Sequence, residues 1–277
     1  MDVEPVIVQT SGDRRTDVAL WEIGGQGVFV KEVEAALLEG RADIAVHSAK
    51  DLPSHTEPGL VLAAVPERDD PRDVLVGSTF EALPVGALVA TGSVRRRAQL
   101  AWWRPDLTFA GLRGNIETRL SKASQFHAIV VAAAALRRLG RSEAIAELLD
   151  ARWMVPQVGQ GALAVECRED DLRARELLAP IDDPEARTAV DTERAWLAAV
   201  GGGCDLPVAA HAVLRDGEIH LTAMMASTDG RVLLRADDRG VDPQTVGQRL
   251  AHHLLHEAGG EDLVSVLRLT EHTIEAP

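Results

Sequence analysis

Between Ala87 and Gly140 the sequence passes three times through one alternation. "ALVA" leads into "TGSVRRRAQLAWW", "LTFA" into "GLRGNIETRLSKAS", and "AIVVA" into "AALRRLG". A short apolar run followed by a helix-length stretch reads as strand and covering helix, and repetition of that order marks an α/β unit. The same order occurs earlier. Val28, Val30, Val33, Ala36 and Leu37 have helical spacing, Gly40 closes the helix, and "ADIAVH" (42–47) follows as a buried strand. "VEPVIVQ" (3–9) is a further β-prone run, expected to be a strand.

The two stretches of alternation are separated by "VPERDDPRDVLV" (65–76), a charged, proline-bounded crossing that reads as a hinge. "WMVPQVGQGALAVECRED" then returns through a Pro/Gly loop to an apolar strand, expected to rejoin the first unit. After Pro184 the pattern changes. Ala186, Val190, Leu197 and Val200 mark a helix ending at three glycines. Three alternating strands follow, with Asp216-Gly217 and Asp229-Gly230 as hairpin signals, then a helix begun by Asp242-Pro243 and stopped by Gly259. The expected organisation is α/β: residues 1–66 with 158–183 as one unit, 67–157 as a second, and 184–277 as a small α+β third.

Net charge is −14, which disfavours broad binding to nucleic acid or anionic membrane. The longest apolar run, Ala128–Leu136, is too short to cross a bilayer. Nothing after Met1 reads as an export signal, and two cysteines make no disulfide framework, so free thiols in the cytoplasm are expected. Within this acidic chain Arg95, Arg96, Arg97, Arg113, Arg119, Arg137 and Arg138 fall in one short region. Such clustering points to a small polyanionic ligand, since guanidinium forks match carboxylates. Arg97 and Arg137 read instead as surface cover for their helices.

Thr91, Gly92 and Ser93 form a strand-to-helix turn, with Ser93 as N-cap. Arg95 and Arg96 in the first helical turn oppose the helix dipole unless an anion joins them. Arg113 lies in a glycine-bounded loop and Arg119 on the next helix. Asp51, at the exit of a buried strand, is either a proton-handling or charge-stabilising carboxylate or a turn residue paired with Lys50. His47 reads as a packed hydrogen-bonding residue. "EIGGQGVFV" lacks the third glycine of a dinucleotide loop, and "HHLLHE" lacks the zinc-protease pattern, so neither NAD nor a metal is expected. Cys167 reads as a small core residue. Cys204, behind Gly201, Gly202 and Gly203, is exposed on a loop cleared of side-chain bulk and reads as an attachment point.

Together "GGQGVFVKEVEAALLEGRADIAVHSAKDLP", "ATGSVRRRAQL", "LRGNIETRL", "PQVGQGALAVECR" and "GGGCDLPVAAHA" resemble, in order and spacing, the hydroxymethylbilane synthase (porphobilinogen deaminase) family. The resemblance implies two α/β domains hinged like periplasmic binding proteins around a cleft, plus a small α+β C-terminal domain, in a monomer. It implies a transferase of haem biosynthesis that condenses four porphobilinogen molecules onto a dipyrromethane cofactor, losing ammonia each time, and releases hydroxymethylbilane. By the same resemblance Cys204 carries the cofactor thioether and Asp51 is the catalytic carboxylate, stabilising pyrrole-nitrogen charge as the azafulvene forms. Ser48, Lys50, Thr91, Ser93, Arg95, Arg96, Arg113, Gly114, Arg119 and Arg138 match cofactor-binding positions, and Phe29 a cleft-lining aromatic. Gln26 stands where some members have lysine. The family's opening strand with its Arg-x-Ser-x-Leu-Ala motif has no counterpart here, so the first unit is expected to be short of a strand and the site of an arginine. An anion-binding protein without chemistry is the alternative, but it has no use for a thiol on a glycine loop.

Overall fold

Three separate β-sheets, each covered by helices, make up the computed structural model, which describes residues 3–8, 30–202 and 206–264. The first contains β1 (Ile44–Ser48), β2 (Leu60–Ala64) and the late strand β8 (Leu163–Arg168) in the order β1-β8-β2. β8 runs antiparallel to both neighbours, with Val46 opposite Val165 and Val61 opposite Cys167. The strand returning from the second unit thus separates two strands that are parallel to each other. Helix α1 (Lys31–Leu38) precedes β1 and is closed by Gly40 at φ +69°. Its Leu37 packs on Ala45 and Leu60. Cys167 is fully buried beside Ala174 and Leu178 of α5 (Leu172–Leu178), and that burial pushes its thiol pKa up. It is a core residue, as its apolar setting in the sequence predicts. Residues 3–8 form no strand, and Val3, Val6 and Ile7 are exposed. β-propensity becomes a strand only where a neighbouring edge takes up the backbone groups.

The second sheet has the order β5-β4-β6-β3-β7. It is built from β3 (Asp73–Val76), β4 (Leu88–Ala90), β5 (Thr108–Ala110), β6 (Ala128–Ala132) and β7 (Glu147–Leu148). β4 pairs parallel with β5 and β6, whereas β3 pairs antiparallel with β6 and β7. The alternation seen in sequence produces β4 and α2 (Val94–Trp103), β5 and α3 (Ile116–Ser121), and β6 and α4 (Ala133–Arg138). Both faces are buried. Leu75, Val89 and Val130 pack with Leu100 and Met154 on one side, and Val74, Ile129 and Val131 with Leu112 and Leu136 on the other.

The third sheet, β11-β10-β9, is fully antiparallel. Its strands are β9 (Val208–Arg215), β10 (Glu218–Ala226) and β11 (Leu233–Gly240). Asp216 (φ +52°) and Gly217 (φ +78°) make the two-residue turn between β9 and β10, both residues left-handed as a type I′ turn requires. One face, including Ala210, Leu221 and Met225, packs on α6 (Pro184–Val200) and α7 (Pro243–His252). The other face, through Ala209, Met224 and Ala226, packs on Ala98 of α2 and on Val155. Gly230 lies against α2 so closely that a Cβ there would meet the Ala98 carbonyl oxygen at 2.5 Å. Aspartate caps begin α6 and α7, the second as expected: Asp183 accepts from the Ala186 N–H and Asp242 from the Thr245 N–H. Gly201, left-handed at φ +67°, ends α6.

The segment read as a hinge is a tied crossing, in which Asp73 is buried, Arg68, Asp69, Asp70 and Arg72 are half-buried and Glu67 is exposed. Arg68 makes a bidentate pair with Glu193 of α6 at 2.6 and 3.1 Å, and its Nε donates to the Gln160 carbonyl at 2.9 Å. Glu193 also accepts from the Gly159 N–H at 2.7 Å and from the Ala212 N–H of β9 at 2.8 Å. One carboxylate therefore joins the outgoing crossing, the returning crossing, α6 and the third sheet. Burial acts to raise its pKa. The charges of Arg68 and His211 and their hydrogen bonds outweigh that and hold it at about 2.

Glu193→Ala leaves the half-buried Arg68 guanidinium and the Gly159 and Ala212 N–H groups without their carboxylate, so we expect a loss of about 3–5 kcal/mol, read as a lowered urea midpoint at pH 7. Because the folded-state pKa of Glu193 lies below its ordinary value of 4.5, its stabilisation is complete above that value. It is lost as pH falls towards 2. An acid-unfolding limb in that window, reduced in Glu193→Gln, is the corresponding measurement.

Candidate active site

At its C-terminal end β1 passes into a single 3₁₀ turn, Ala49–Asp51. Ala49 and Leu52 are buried in a cluster with Ala162, Ala164 and Val190, and the Ala49 N–H donates to the Ala162 carbonyl at 3.0 Å. With those two apolar residues pinned inwards, Ser48 and Lys50 are half-buried and Asp51 is exposed. Gly159 packs directly behind the turn. At its φ of +69°, a Cβ would sit 2.8 Å from the Ala49 carbonyl carbon and 2.9 Å from the Lys50 nitrogen. Only glycine permits that contact.

Two further strand exits complete the site. After β4, Thr91 Oγ1 accepts from the Ser93 N–H at 3.2 Å, and Ser93 Oγ caps α2 by accepting from the Arg96 N–H at 3.4 Å. After β5, Gly114 adopts φ +108°, and Asn115 Oδ1 caps α3 by accepting from the Thr118 N–H at 2.9 Å. The Gly114 carbonyl accepts from Arg119 Nε at 2.7 Å, which aims that guanidinium.

The charges of these exits act on one another. Burial pushes the Lys50 ammonium pKa down; Asp51 and Asp73 oppose that shift, and Arg96 and Arg119 add to it. Burial likewise lowers Arg119, with Asp51 opposing and Arg113 adding to the shift. Lys50, Arg96, Arg113 and Arg119 thus act together with two carboxylates, Asp51 and Asp73, and Arg95 joins them only through Asp73. Among the described residues Arg113 Nη1 is buried without a hydrogen-bond partner. A buried guanidinium donor left open in a cationic site is suited to an anionic ligand.

Arg95 and Arg96 require a correction. Their first-turn position led to the expectation of a ligand anion, yet the anion that joins them is the protein's own Asp73. It accepts from Arg95 at 2.7 and 3.2 Å, from Arg96 Nε at 2.9 Å and from Gln160 Nε2 at 2.8 Å. Burial acts to raise the Asp73 pKa, but the charges of Arg95 and Arg96 and the hydrogen bonds from Arg95 and Gln160 hold it at about 2. Burial lowers Arg96 to about 10, which still leaves it charged at neutral pH. Arg138 is turned to the hinge, with its Nη2 donating to the Gly161 carbonyl at 2.8 Å. Arg97 is exposed over the Phe109 ring, and Arg137 is exposed and paired with Asp69 at 2.9 Å. Both serve the surface roles expected of them. His47 is buried 3.0 Å from Glu166, out of alignment for a hydrogen bond, so it is packed in the core. Phe29 and Cys204 lie outside the described residues.

Sequence reasoning missed Asp73, Gln160 and Glu193. Asp73 had a signal, being a carboxylate that opens the apolar run "VLV". Gln160 stands between two glycines that bring the backbone close, and nothing in the sequence marks Glu193.

Two family models match the chain. That of the porphobilinogen deaminase dipyromethane cofactor binding domain matches residues 1–176, and that of the porphobilinogen deaminase C-terminal domain matches residues 187–256. Similar proteins named porphobilinogen deaminase occur in several bacteria. The protein of Brevibacillus brevis is 44% identical over 276 residues, covering 98% of this chain and 89% of its own. That of Roseiflexus castenholzii is 49% identical over 265 residues, covering 93% and 87%. That of Acidothermus cellulolyticus is 48% identical over 279 residues, covering 97% and 84%.

Gly159→Ala would push the 3₁₀ turn off its seat, and with it Asp51. We expect turnover to fall about 10–100-fold with a stability loss of only about 1–3 kcal/mol. Parallel activity and urea-unfolding measurements check both.

Proposed function

The chain belongs to the porphobilinogen deaminase family, and we propose that the Asp51 site is where its chemistry takes place. The activity is that of a transferase of haem biosynthesis, which joins porphobilinogen units with loss of ammonia on a dipyrromethane cofactor. The observation that carries the site assignment is the charge imbalance around Asp51, together with the open donor on Arg113. Each porphobilinogen brings two side-chain carboxylates, so a site for a growing chain needs an excess of fixed cations.

The residues present fit a polycarboxylate pyrrole. Arg113, Arg119 and Lys50 would hold acidic side chains, with Ser48, Thr91, Ser93 and the Gly114 backbone setting the outline around them. Arg96 and Arg95 would contribute field from behind, and Arg138 would join from the hinge. Cys204 would carry the thioether, and Phe29 would line the cleft. When bound, the cofactor supplies an electron-rich pyrrole carbon to which each unit is joined. Asp51, an exposed carboxylate between Lys50 and Arg119, would stabilise the positive charge that develops on the substrate pyrrole as ammonia departs. Lys50 and Arg119 surround that carboxylate with positive charge. No nucleotide or metal is required, because the leaving amine is already activated by the pyrrole ring.

The organisation we propose is one unit of residues 1–66 and 158–183, a second of 67–157, and a third of 184–277 that carries Cys204. β8 pairing with β1 and β2 supports the discontinuous first unit. No helix among the described residues is long and apolar enough to cross a membrane. A cytoplasmic monomer that does not bind nucleic acid is the reading favoured by the net charge of −14 and by the lack of a disulfide framework.

The intact mass of the purified protein should exceed that of the polypeptide by one dipyrromethane, and the excess should be absent in Cys204→Ala. An unmodified wild-type mass after expression with porphobilinogen present would sink the assignment of Cys204. Asp51→Asn should keep the added mass and lose turnover by about 10²–10⁴-fold; near-normal turnover would remove Asp51 from its role.

A further inference from the structure

Asp73 is fully buried, and both of its carboxylate oxygens are occupied by the protein. Oδ2 accepts from Arg95 Nη1, while Oδ1 accepts from Arg95 Nη2, Arg96 Nε and Gln160 Nε2. The other contacts fix the trio in place. Arg95 Nη1 also donates to the Val155 carbonyl at 2.7 Å, and Arg96 donates to the Val130 carbonyl and to Gln160 Oε1, each at 3.2 Å. Gln160 is itself held by the Pro71 carbonyl at 2.7 Å. The acid therefore cannot swing away to make room for a ligand carboxylate, and the arginines cannot turn fully towards one. Two cations and one anion leave the trio with a single net positive charge, and Arg96 stands in the first turn of α2, directly behind the Thr91–Ser93 turn that borders the site.

We infer that Asp73 is a built-in counter-anion that weakens the hold of the arginine helix on ligand carboxylates, so that an acidic chain is bound yet can be passed on. This rests on the reading that the Asp51 site receives polycarboxylate pyrroles. It adds that affinity there is set by the net charge of the Asp73–Arg95–Arg96 trio, with Asp73 as a positioning and field-setting residue that touches no substrate. A residue serving only the fold would lower ligand affinity when removed. A counter-anion raises affinity when its charge is removed.

The test uses purified holoenzyme and tricarballylate as probe, with binding followed by isothermal titration calorimetry at low salt. Trio charges are +1 in the wild type, +2 in Asp73→Asn, 0 in Arg95→Gln and +1 again in the double variant. Each unit of charge at this range is worth about tenfold in affinity. The expected order is Asp73→Asn tightest, the wild type and the double variant equal, and Arg95→Gln weakest. In Asp73→Asn, KM and kcat for porphobilinogen should fall together as release slows. Asp73→Glu, which keeps the charge, should bind the probe as the wild type does.

Asp73→Asn binding no more tightly than wild type, or a double variant no tighter than Arg95→Gln, would overturn the inference. If Asp73→Asn does not fold, the comparison of the double variant with Arg95→Gln decides alone. Failure of the underlying reading looks different: the wild type would then bind no probe at all, and Arg113→Gln would have no binding to lose.

Discussion

Two buried carboxylates, Asp73 and Glu193, hold this molecule together where its three sheets meet. Charges of that kind are tolerated in an interior only when paired and fully hydrogen-bonded. Asp73 has two guanidiniums and an amide, while Glu193 has a bidentate arginine and two backbone N–H groups. Gln160 links the two systems, because its side chain binds Asp73 and its carbonyl accepts from Arg68. Sheet, hinge and arginine helix are thereby fixed by a single polar chain. The glycines on either side of Gln160 let that chain lie flush against the Asp51 turn and the hinge carbonyls.

Much of the fold was legible because local rules and the tertiary outcome agree. The alternation from Ala87 to Gly140 gives β4 to β6 and their helices, and Asp216-Gly217 gives the tight turn of the third sheet. Where they disagreed, the reason is a partner that sequence does not display. The run 3–8 has strand propensity but no strand among the described residues. β8 reads as one more apolar strand, yet its central, antiparallel place depends on where the return crossing delivers it.

The site was half legible. Lys50 and Asp51 stand at the exit of β1 in the first sheet, Arg113 and Arg119 at and beyond the exit of β5 in the second, and strand exits are where open α/β sheets hold their ligands. Arg95 and Arg96 were identified correctly as a charge conflict at a helix start, but the resolution lay elsewhere. Asp73 and Arg68 sit in a segment so rich in charge that it reads as solvated, and only packing shows which of its charges face inwards. Composition reports how many charges a segment carries and is silent about which of them have lost their water.

The hinge is crossed twice, outwards at 65–72 and back at 155–162, and the two passes are stitched together where the Asp69 N–H meets the Gly161 carbonyl at 3.2 Å. A single connecting strand would leave its two bodies free to twist as well as bend. A doubled crossing, stitched there and tied again by Arg68 to Glu193, resists both, so the arginines of the second sheet keep their spacing from Asp51.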